Sequence, residues 1–493
     1  MTTIIGRHEE TQQLEKIYQS TRAEFVAIYG RRRVGKTFLI KTFFERNPCI
    51  FFRITGQKNA SMAEQLYKFT RQLEAVFFKE ELSLKEPKNW DRAFELLTKV
   101  IKEKGQDKKI ILFLDELPWL ATKKSKLIQV LEYYWNQHWE DIVNLKLIVC
   151  GSAASWIIDN IVNNKAGLHN RITKSILLEP FTLLETKEYL HSRGVNYLDK
   201  QVLEVYMVMG GIPFYLQDIE KGLSVPQNVD RICFHPKGLL FVEFKNLFTS
   251  LFNKASIHEK LIHIMAKSRR GIIGQKIVET MRNITSGGSL YKRLEELETA
   301  GFVLGFVPYG FNKKNKTYRI IDEYTLFYLT WIDLVKNKLK QIDQSSGYWE
   351  NKVHSQSWKS WAGHAFEDVC LKHLSIIKKK LQIKSSAIAD SWQYIPKKES
   401  KEEGAQIDLL FDRDDDVITV CEIKYHMPTY IFDKEEAHKL QRKIEIFKKV
   451  TKTTKQVQLA LITINPIKPT FYSEELIVGN VTMYDFFNKS HYC

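Results

Sequence analysis

The stretch Glu24-Phe25-Val26-Ala27-Ile28-Tyr29, Gly30-Arg31-Arg32-Arg33-Val34-Gly35-Lys36-Thr37, Phe38-Leu39-Ile40-Lys41-Thr42-Phe43-Phe44 reads in turn as a buried strand, a glycine-bounded loop and an opening helix. The loop is G-x-x-x-x-G-K-T, a pattern that carries chemistry only when a strand precedes it and a helix follows. Its two glycines let backbone N–H groups approach phosphate oxygens, and the helix N-terminus adds partial positive charge. Lys36 is placed to reach the β- and γ-phosphates and Thr37 to ligate Mg²⁺. Arg31, Arg32, Arg33 and Val34 complete the cradle between Gly30 and Gly35. The expected fold class is therefore α/β, a parallel sheet with the phosphate loop at the C-terminal edge of one strand.

Working outward, Ile110-Ile111-Leu112-Phe113-Leu114-Asp115-Glu116 is a short apolar run ending in two carboxylates, as a buried parallel strand delivers them at its edge. Asp115 is expected to hold Mg²⁺ and Glu116 to polarise an attacking water, which favours hydrolysis over transfer to another acceptor. A third run, Leu145-Lys146-Leu147-Ile148-Val149-Cys150, enters Gly151-Ser152. Ser152 is a candidate γ-phosphate sensor; it also reads as the N-cap of a helix starting near Ala154, which does not exclude the first role. Arg171 is a candidate arginine finger, against the competing reading of a surface ion pair.

These residues resemble the archaeal-type P-loop ATPases of the STAND and AAA-related group. The resemblance rests on Ile5-Gly6-Arg7-His8-Glu9-Glu10, the arginine-filled loop, Leu114-Asp115-Glu116, Gly151-Ser152 and Gly210-Gly211-Ile212-Pro213, over roughly residues 1–335. It implies an ATP-driven switch with Mg²⁺, in which Gly6, Arg7 and the Gly210–Pro213 turn shape the base side and lid of the pocket. It also implies an arginine where Arg171 stands. On this reading residues 1–180 are the ATPase core and 181–250 a helical lid.

At 493 residues the chain has room for about three domains at roughly 150 residues each. With 44% hydrophobic and 12% aromatic residues it is neither disordered nor fibrous. The net charge of +16 is uneven: +7 over residues 1–250, +11 over 251–400 and −2 over 401–493. A basic surplus in the middle favours a polyanionic partner, DNA ahead of RNA. Six scattered cysteines without C-x-x-C spacing argue against a disulfide framework or zinc site. With no signal-like N-terminus and no apolar run near the ~18 residues of a membrane span, a cytoplasmic protein without membrane contact is expected. Homo-oligomerisation is compatible with the ATPase resemblance.

Residues 251–340 give three helical patterns, the third being Ser289–Gly301, followed by Phe302–Val307 and Thr317–Ile321 across a lysine-rich loop. Three helices and a basic hairpin predict a winged helix, with Tyr291, Lys292 and Arg293 in a major groove and Lys313, Lys314 and Lys316 on phosphates. The alternative is a winged helix that packs and relays without touching DNA. Residues 341–354 read as a polar linker.

Residues 355–493 then predict an α-β-β-β-α-β order. On it sit Glu367 in a helix, Asp408 in Gln406-Ile407-Asp408-Leu409-Leu410, and Glu422-Ile423-Lys424. Glu422 and Lys424 share a face because strand side chains alternate, and an adjacent strand brings Asp408 alongside. Asp408 and Glu422 are candidate ligands for Mg²⁺ or Mn²⁺ together with the Ile423 carbonyl, while Glu367 would orient water or a second ion and Lys424 would stabilise hydroxide. This resembles the restriction-endonuclease-like PD-(D/E)xK superfamily, in the C-terminal domain of unknown function that follows archaeal-type ATPase modules, although Gln406-Ile407 replaces the proline position. The resemblance implies a metal-dependent nuclease acting on DNA and gated by nucleotide state. The alternative is a nucleotide-switched regulatory or scaffolding ATPase with an inactive nuclease-like domain.

Overall fold

The computed structural model describes residues 3–79, 83–105, 108–122, 124–163, 168, 170–252, 254–281, 288–340, 347–396 and 403–492. The chain divides into two compact units. The first is Met1–Pro180 with Ser250–Asn253 and Thr299–Gly301; the second comprises Phe181–Thr249, Lys254–Glu298 and Phe302–Cys493.

The first unit is built on five strands, β1 (Glu24–Tyr29), β2 (Ile50–Thr55), β3 (Ile110–Asp115), β4 (Leu145–Gly151) and β5 (Lys174–Leu177). They lie in the order β2-β3-β4-β1-β5, every neighbouring pair parallel. Continuous apolar runs suit this position, since strands covered on both faces cannot alternate with polar residues; all residues of β3 and β4 are buried. Phe25, Phe52, Phe69, Trp90, Phe94 and Trp139 knit sheet and helices into one core, each large ring contributing about 1.5–3 kcal/mol of burial. Because the strands are parallel, the loops after β1, β3 and β4 emerge along one edge. Sequence places the phosphate loop, the Asp115-Glu116 pair and Ser152 there.

In the second unit, helices Leu183–Ser192, Asp199–Met209 and Leu239–Leu251 are followed by Ala255–Met265, Gly274–Thr280 and Gly288–Thr299. β6 (Ile272–Ile273), β7 (Val303–Phe306) and β8 (Thr317–Ile320) form a small antiparallel sheet, β6-β8-β7, with Val303 opposite Ile320 and Phe306 opposite Thr317.

A second sheet contains β9 (Ile388–Tyr394), β10 (Ala405–Asp412), β11 (Val417–Lys424), β12 (Gln456–Thr463) and β13 (Ile477–Thr482), in the order β13-β12-β11-β10-β9. β9, β10 and β11 pair antiparallel, whereas β11, β12 and β13 pair parallel. The expected α-β-β-β-α-β order therefore needs correction. A second helix, Leu374–Lys380, precedes β9, and helix Phe471–Leu476 with β13 extends the far edge. Gly479 and Asn480 interrupt β13, and both types are depleted in strands, so its apolar pattern is weak in sequence.

The reading of 341–354 as a polar linker also needs correction where it is described; residues 341–346 lie outside the described residues. Tyr348–Lys352 is helical and the Trp349 side chain is buried. The Trp349 and Glu350 N–H groups donate to the Asp230 carboxylate at 2.6 and 3.0 Å. The Trp349 ring stacks on Phe234 at 5.4 Å and meets Phe327, Trp331 and Trp358 edge-on. One aromatic anchor outweighs the polar average around it, because a buried indole carries more burial energy than its exposed neighbours forfeit.

Candidate functional site

In the first unit the loop after β1 departs from ordinary backbone geometry. Gly30 has φ of 143°, and a Cβ there would lie 2.2 Å from the Leu178 carbonyl oxygen. Arg33 and Gly35 also take positive φ, and helix Lys36–Phe44 starts from Gly35. The Arg7 guanidinium, placed by resemblance on the base side, donates to the Val34 carbonyl at 3.1 Å and so braces the loop. Arg31 and Val34 are buried, while Arg32 and Arg33 are half-buried.

Lys36 is buried and its Nζ donates to the carbonyls of Gly30 at 2.9 Å and Arg31 at 2.8 Å. Burial lowers its pKa against the opposing pull of Cys150, Glu116 and Asp115. The Thr37 hydroxyl donates to both Asp115 oxygens at 3.0 and 3.1 Å. Asp115 also receives Arg53 at 2.9 Å and Thr55 at 3.4 Å, both from the neighbouring β2. Glu116 takes a left-handed conformation, φ 50°, and one of its oxygens accepts from the Ser152 N–H at 3.1 Å and hydroxyl at 2.9 Å. Ser152 is not a helix cap; the helix at Ala154 has Ala153 in that place, without a side-chain bond. The hydroxyl of Thr37 and carboxylate of Asp115 are adjacent hard oxygens, a donor set that fits Mg²⁺. Arg171 stands apart from this group in a pair with Glu140, N–O 2.6 Å, with its side chain 40% exposed. In the second unit, the Gly210–Pro213 turn closes on its own chain, the Phe181 N–H donating to the Gly211 carbonyl at 2.6 Å.

The second unit gathers the C-terminal residues. Glu367 lies on helix Gln356–Lys372, Asp408 on β10, and Glu422 and Lys424 on β11. The β9–β10 register shifts between Ile407 and Leu410, so Asp408 sits in a local irregularity of the kind that re-aims side chains beside functional sites. The β10–β11 ladder pairs Leu409 with Cys421, and one step further along that register Asp408 faces Glu422. Lys424 holds one Glu422 oxygen at 3.1 Å and Lys443 the other at 2.6 Å, while Gln406 donates to Asp408 at 2.6 Å. Lys424 also approaches Glu436 at 3.6 Å, and Glu367 pairs with His364 at 3.3 Å.

The Asp408 carboxyl is pushed up to about 6 by burial and then by the negative charges of Glu367 and Glu422, which outweigh Lys443. Glu367, Asp408 and Glu422 thus share one electrostatic neighbourhood. Its ligand geometry is a different matter. Among the described residues no group of three or more His, Cys, Asp or Glu side chains could hold a metal ion, and both Glu422 oxygens already carry lysine ammonium groups. As they stand, these residues do not form a cage for Mg²⁺ or Mn²⁺.

Residues 5–219 match the profile of an ATPase domain found predominantly in Archaea. The N-terminal part of the chain is therefore similar to archaeal-type ATPase domains. Residues 331–440 match a family of archaeal and bacterial proteins of unknown function. An uncharacterized protein of Methanocaldococcus jannaschii is 23% identical over 419 residues, covering 84% of this chain and 85% of the relative. An uncharacterized ATP-binding protein of the same organism is 49% identical over 41 residues, 8% of this chain and 70% of that protein. Among solved structures, a Walker-type ATPase of Pyrococcus abyssi is similar at TM-score 0.47 and 20% identity, over 66% of this chain and 96% of that one. The ORC2 protein of Aeropyrum pernix is similar at TM-score 0.42 and 15% identity, over 69% and 95%.

Sequence reasoning missed Arg53 in the first unit, although a lone arginine inside the apolar run Ile50–Thr55 was a signal. It also missed Lys443, which gives no local signal because basic residues recur throughout helix Lys434–Thr451. Of the residues expected to face DNA, Tyr291, Lys292, Lys313 and Lys314 are exposed. Arg293 instead pairs with Glu296 at 2.7 Å and Lys316 with Glu298 at 2.9 Å. Among the described residues no helix is long and apolar enough to cross a membrane.

The raised Asp408 carboxyl has a signed consequence. Its folded-state pKa of about 6 lies above the ordinary 3.8, so the folded protein binds the proton more tightly and stability falls as pH rises through that interval. Asp408→Asn is expected to stabilise the fold at pH 8 by on the order of 1–3 kcal/mol, read as a higher melting temperature, and to lose that advantage as pH falls below about 4. Thermal melts of both proteins from pH 4 to 8, within a window where the fold persists, measure it. Equal melting temperatures at pH 8 would contradict the strained carboxyl.

Proposed function

We propose that the protein binds and hydrolyses ATP in its ATPase domain and uses the nucleotide state to gate a nuclease-like module acting on DNA. What supports the first half is the set Lys36, Thr37, Asp115, Glu116 and Ser152 along one sheet edge. In this reading Lys36 leaves the Gly30 and Arg31 carbonyls for the β- and γ-phosphates. Mg²⁺ bound by Thr37 and Asp115 supplies neutralising charge at those phosphates. The free Glu116 oxygen takes the proton of the attacking water, and Ser152, bonded to the other, senses the γ-phosphate. Arg171 is kept as a finger that acts only after its pair with Glu140 opens.

For the second half, helices Ala255–Met265, Gly274–Thr280 and Gly288–Thr299 with β7 and β8 serve as a winged helix, Tyr291 and Lys292 entering a groove while Lys313 and Lys314 touch phosphates. The neighbourhood of Glu367, Asp408, Glu422 and Lys424, charge-coupled between one helix and two adjacent strands, supports a PD-(D/E)xK-like centre. Lys424 and Lys443 offer cationic charge to a phosphodiester beside Asp408. A second reading, a nucleotide-switched regulatory or scaffolding ATPase whose last domain binds without cutting, is favoured by the clamping of Glu422 between two lysines.

Incubation of the full chain with labelled DNA, ATP and either Mg²⁺ or Mn²⁺ separates the two. Cleavage that is lost in Asp408→Ala is the expected result. ATP turnover with every DNA substrate intact would overturn the nuclease reading and leave the scaffolding one.

A further inference from the structure

A cleft of about 860 Å³ in the second unit opens onto Glu367 and Asp408. Its lining includes Lys267, Arg269, Arg270 and Lys276 from the segment around β6 and the helix after it, together with residues of β9, β10 and helix Gln356–Lys372. Lys267, Arg270 and Lys276 are exposed. Arg269 is partly buried and faces the charges of Asp368 and Glu367. Phe306, Phe311 and Tyr394 also line the cleft, and Phe311 is 51% exposed. Gln406, also in the lining, spends its amide N–H on Asp408, while its buried carbonyl oxygen has no hydrogen-bond partner among the described residues.

We propose that this cleft takes single-stranded DNA and delivers unpaired nucleotides to Asp408. The proposal rests on reading the second unit as a nucleic-acid module and names the form of its substrate. Size is the first argument. The volume falls within the roughly 300–1,000 Å³ of small-ligand pockets, enough for a few nucleotides but not for a duplex whose major groove alone is ~12 Å wide. Chemistry is the second. Cations beside the exposed Phe311 ring and the half-buried Phe306 and Tyr394 make the combination that binds single strands, the cations tracking phosphates and the rings stacking on unpaired bases. The orphan Gln406 oxygen is the third, since it can accept a hydrogen bond from a base N–H that is already spent on its partner base within a duplex.

The test is fluorescence polarisation of the full chain in EDTA, with labelled oligo(dT), a hairpin duplex of equal length and oligo(rU), across roughly 50–200 mM salt. Oligo(dT) is expected to bind at least tenfold more tightly than the hairpin. Arg270→Glu with Lys276→Glu should weaken that binding more than tenfold and reduce the salt slope by about 1.4, at roughly 0.7 per phosphate contact. Phe311→Ala should weaken it about fivefold or more while leaving the salt slope unchanged. All three positions are exposed, and melting curves check that the variants fold. Tighter binding to oligo(rU) than to oligo(dT) would overturn the choice of DNA, and hairpin binding as tight as oligo(dT), or single-strand binding unchanged in the variants, would overturn the proposal. Because no catalytic ion is present, the result is independent of cleavage: single-strand binding without any nuclease activity upholds the cleft, and cleavage within duplexes at full rate in the cleft variants upholds the nuclease alone.

Discussion

Lys36→Ala should lower ATP binding and turnover by roughly 10²–10³-fold, the loss expected when one preorganised cationic donor is removed from a water-excluded site. The ammonium is buried and its pKa lowered by desolvation, so it is held in readiness and not solvated. Two loop carbonyls, Gly30 and Arg31, occupy its protons at 2.9 and 2.8 Å. Phosphate oxygens exchange for these neutral acceptors with a gain in charge complementarity, because an ion pair in a low-dielectric pocket is stronger than an ammonium–carbonyl bond. Alanine removes that gain and also leaves two loop carbonyls without their donor, at about 1–3 kcal/mol each if water cannot replace it. Titration with a fluorescent ATP analogue and a thermal melt separate the two effects. Lys36→Arg, which keeps the charge, should retain stability better than affinity. Turnover within tenfold of the parent in Lys36→Ala would show that the lysine does not meet the nucleotide.

Glu116→Gln should bind ATP as the parent does and lose hydrolysis by about 10²–10⁴-fold, the usual contribution of a positioned general base. The two bonds from Ser152 make the comparison clean. A glutamine carbonyl can accept both, so the left-handed Glu116 turn and the end of β4 stay in place while the proton acceptor disappears. Single-turnover hydrolysis measured beside nucleotide affinity gives the split. Hydrolysis at the parent rate would move the base elsewhere and leave Glu116 as the residue that positions Ser152.

Much of the first unit was legible because its signals are local. An apolar strand, a glycine loop and a helix start are contiguous from Glu24 to Phe44, and Asp115-Glu116 ends an apolar run of strand length. The partners of these residues were not legible. Arg53 reaches Asp115 only because β2 pairs with β3 in register, Thr55 against Asp115, and Arg7 reaches Val34 across 27 positions of sequence. In the second unit, strand alternation placed Glu422 and Lys424 on one face, and the register brings Asp408 beside them. The clamp by Lys443 depends on how helix Lys434–Thr451 lies against the sheet, which no periodicity encodes. The resemblance to metal-dependent nucleases likewise supplied a ligand set, but the lysines on Glu422 are visible only in three dimensions. Lys316 and Arg293 illustrate the same limit: a basic residue counts toward net charge whether or not an acidic neighbour already holds it.

The seating of Trp349 bears on how such chains can be recombined. A break placed at residue 341, where the polar composition begins, would strip Phe234, Phe327 and Trp331 of the indole they enclose and leave the Asp230 carboxylate without its two N–H donors. A C-terminal domain grafted onto another N-terminal module at that junction would arrive with the Trp349 and Trp358 indoles uncovered, prone to self-association. Exchange between homologues that keeps the protein soluble must therefore move Asp230, Phe234 and Trp349 together, although they are separated by more than a hundred positions of sequence. The heritable module is a spatial cluster, and its edges are not those of the composition.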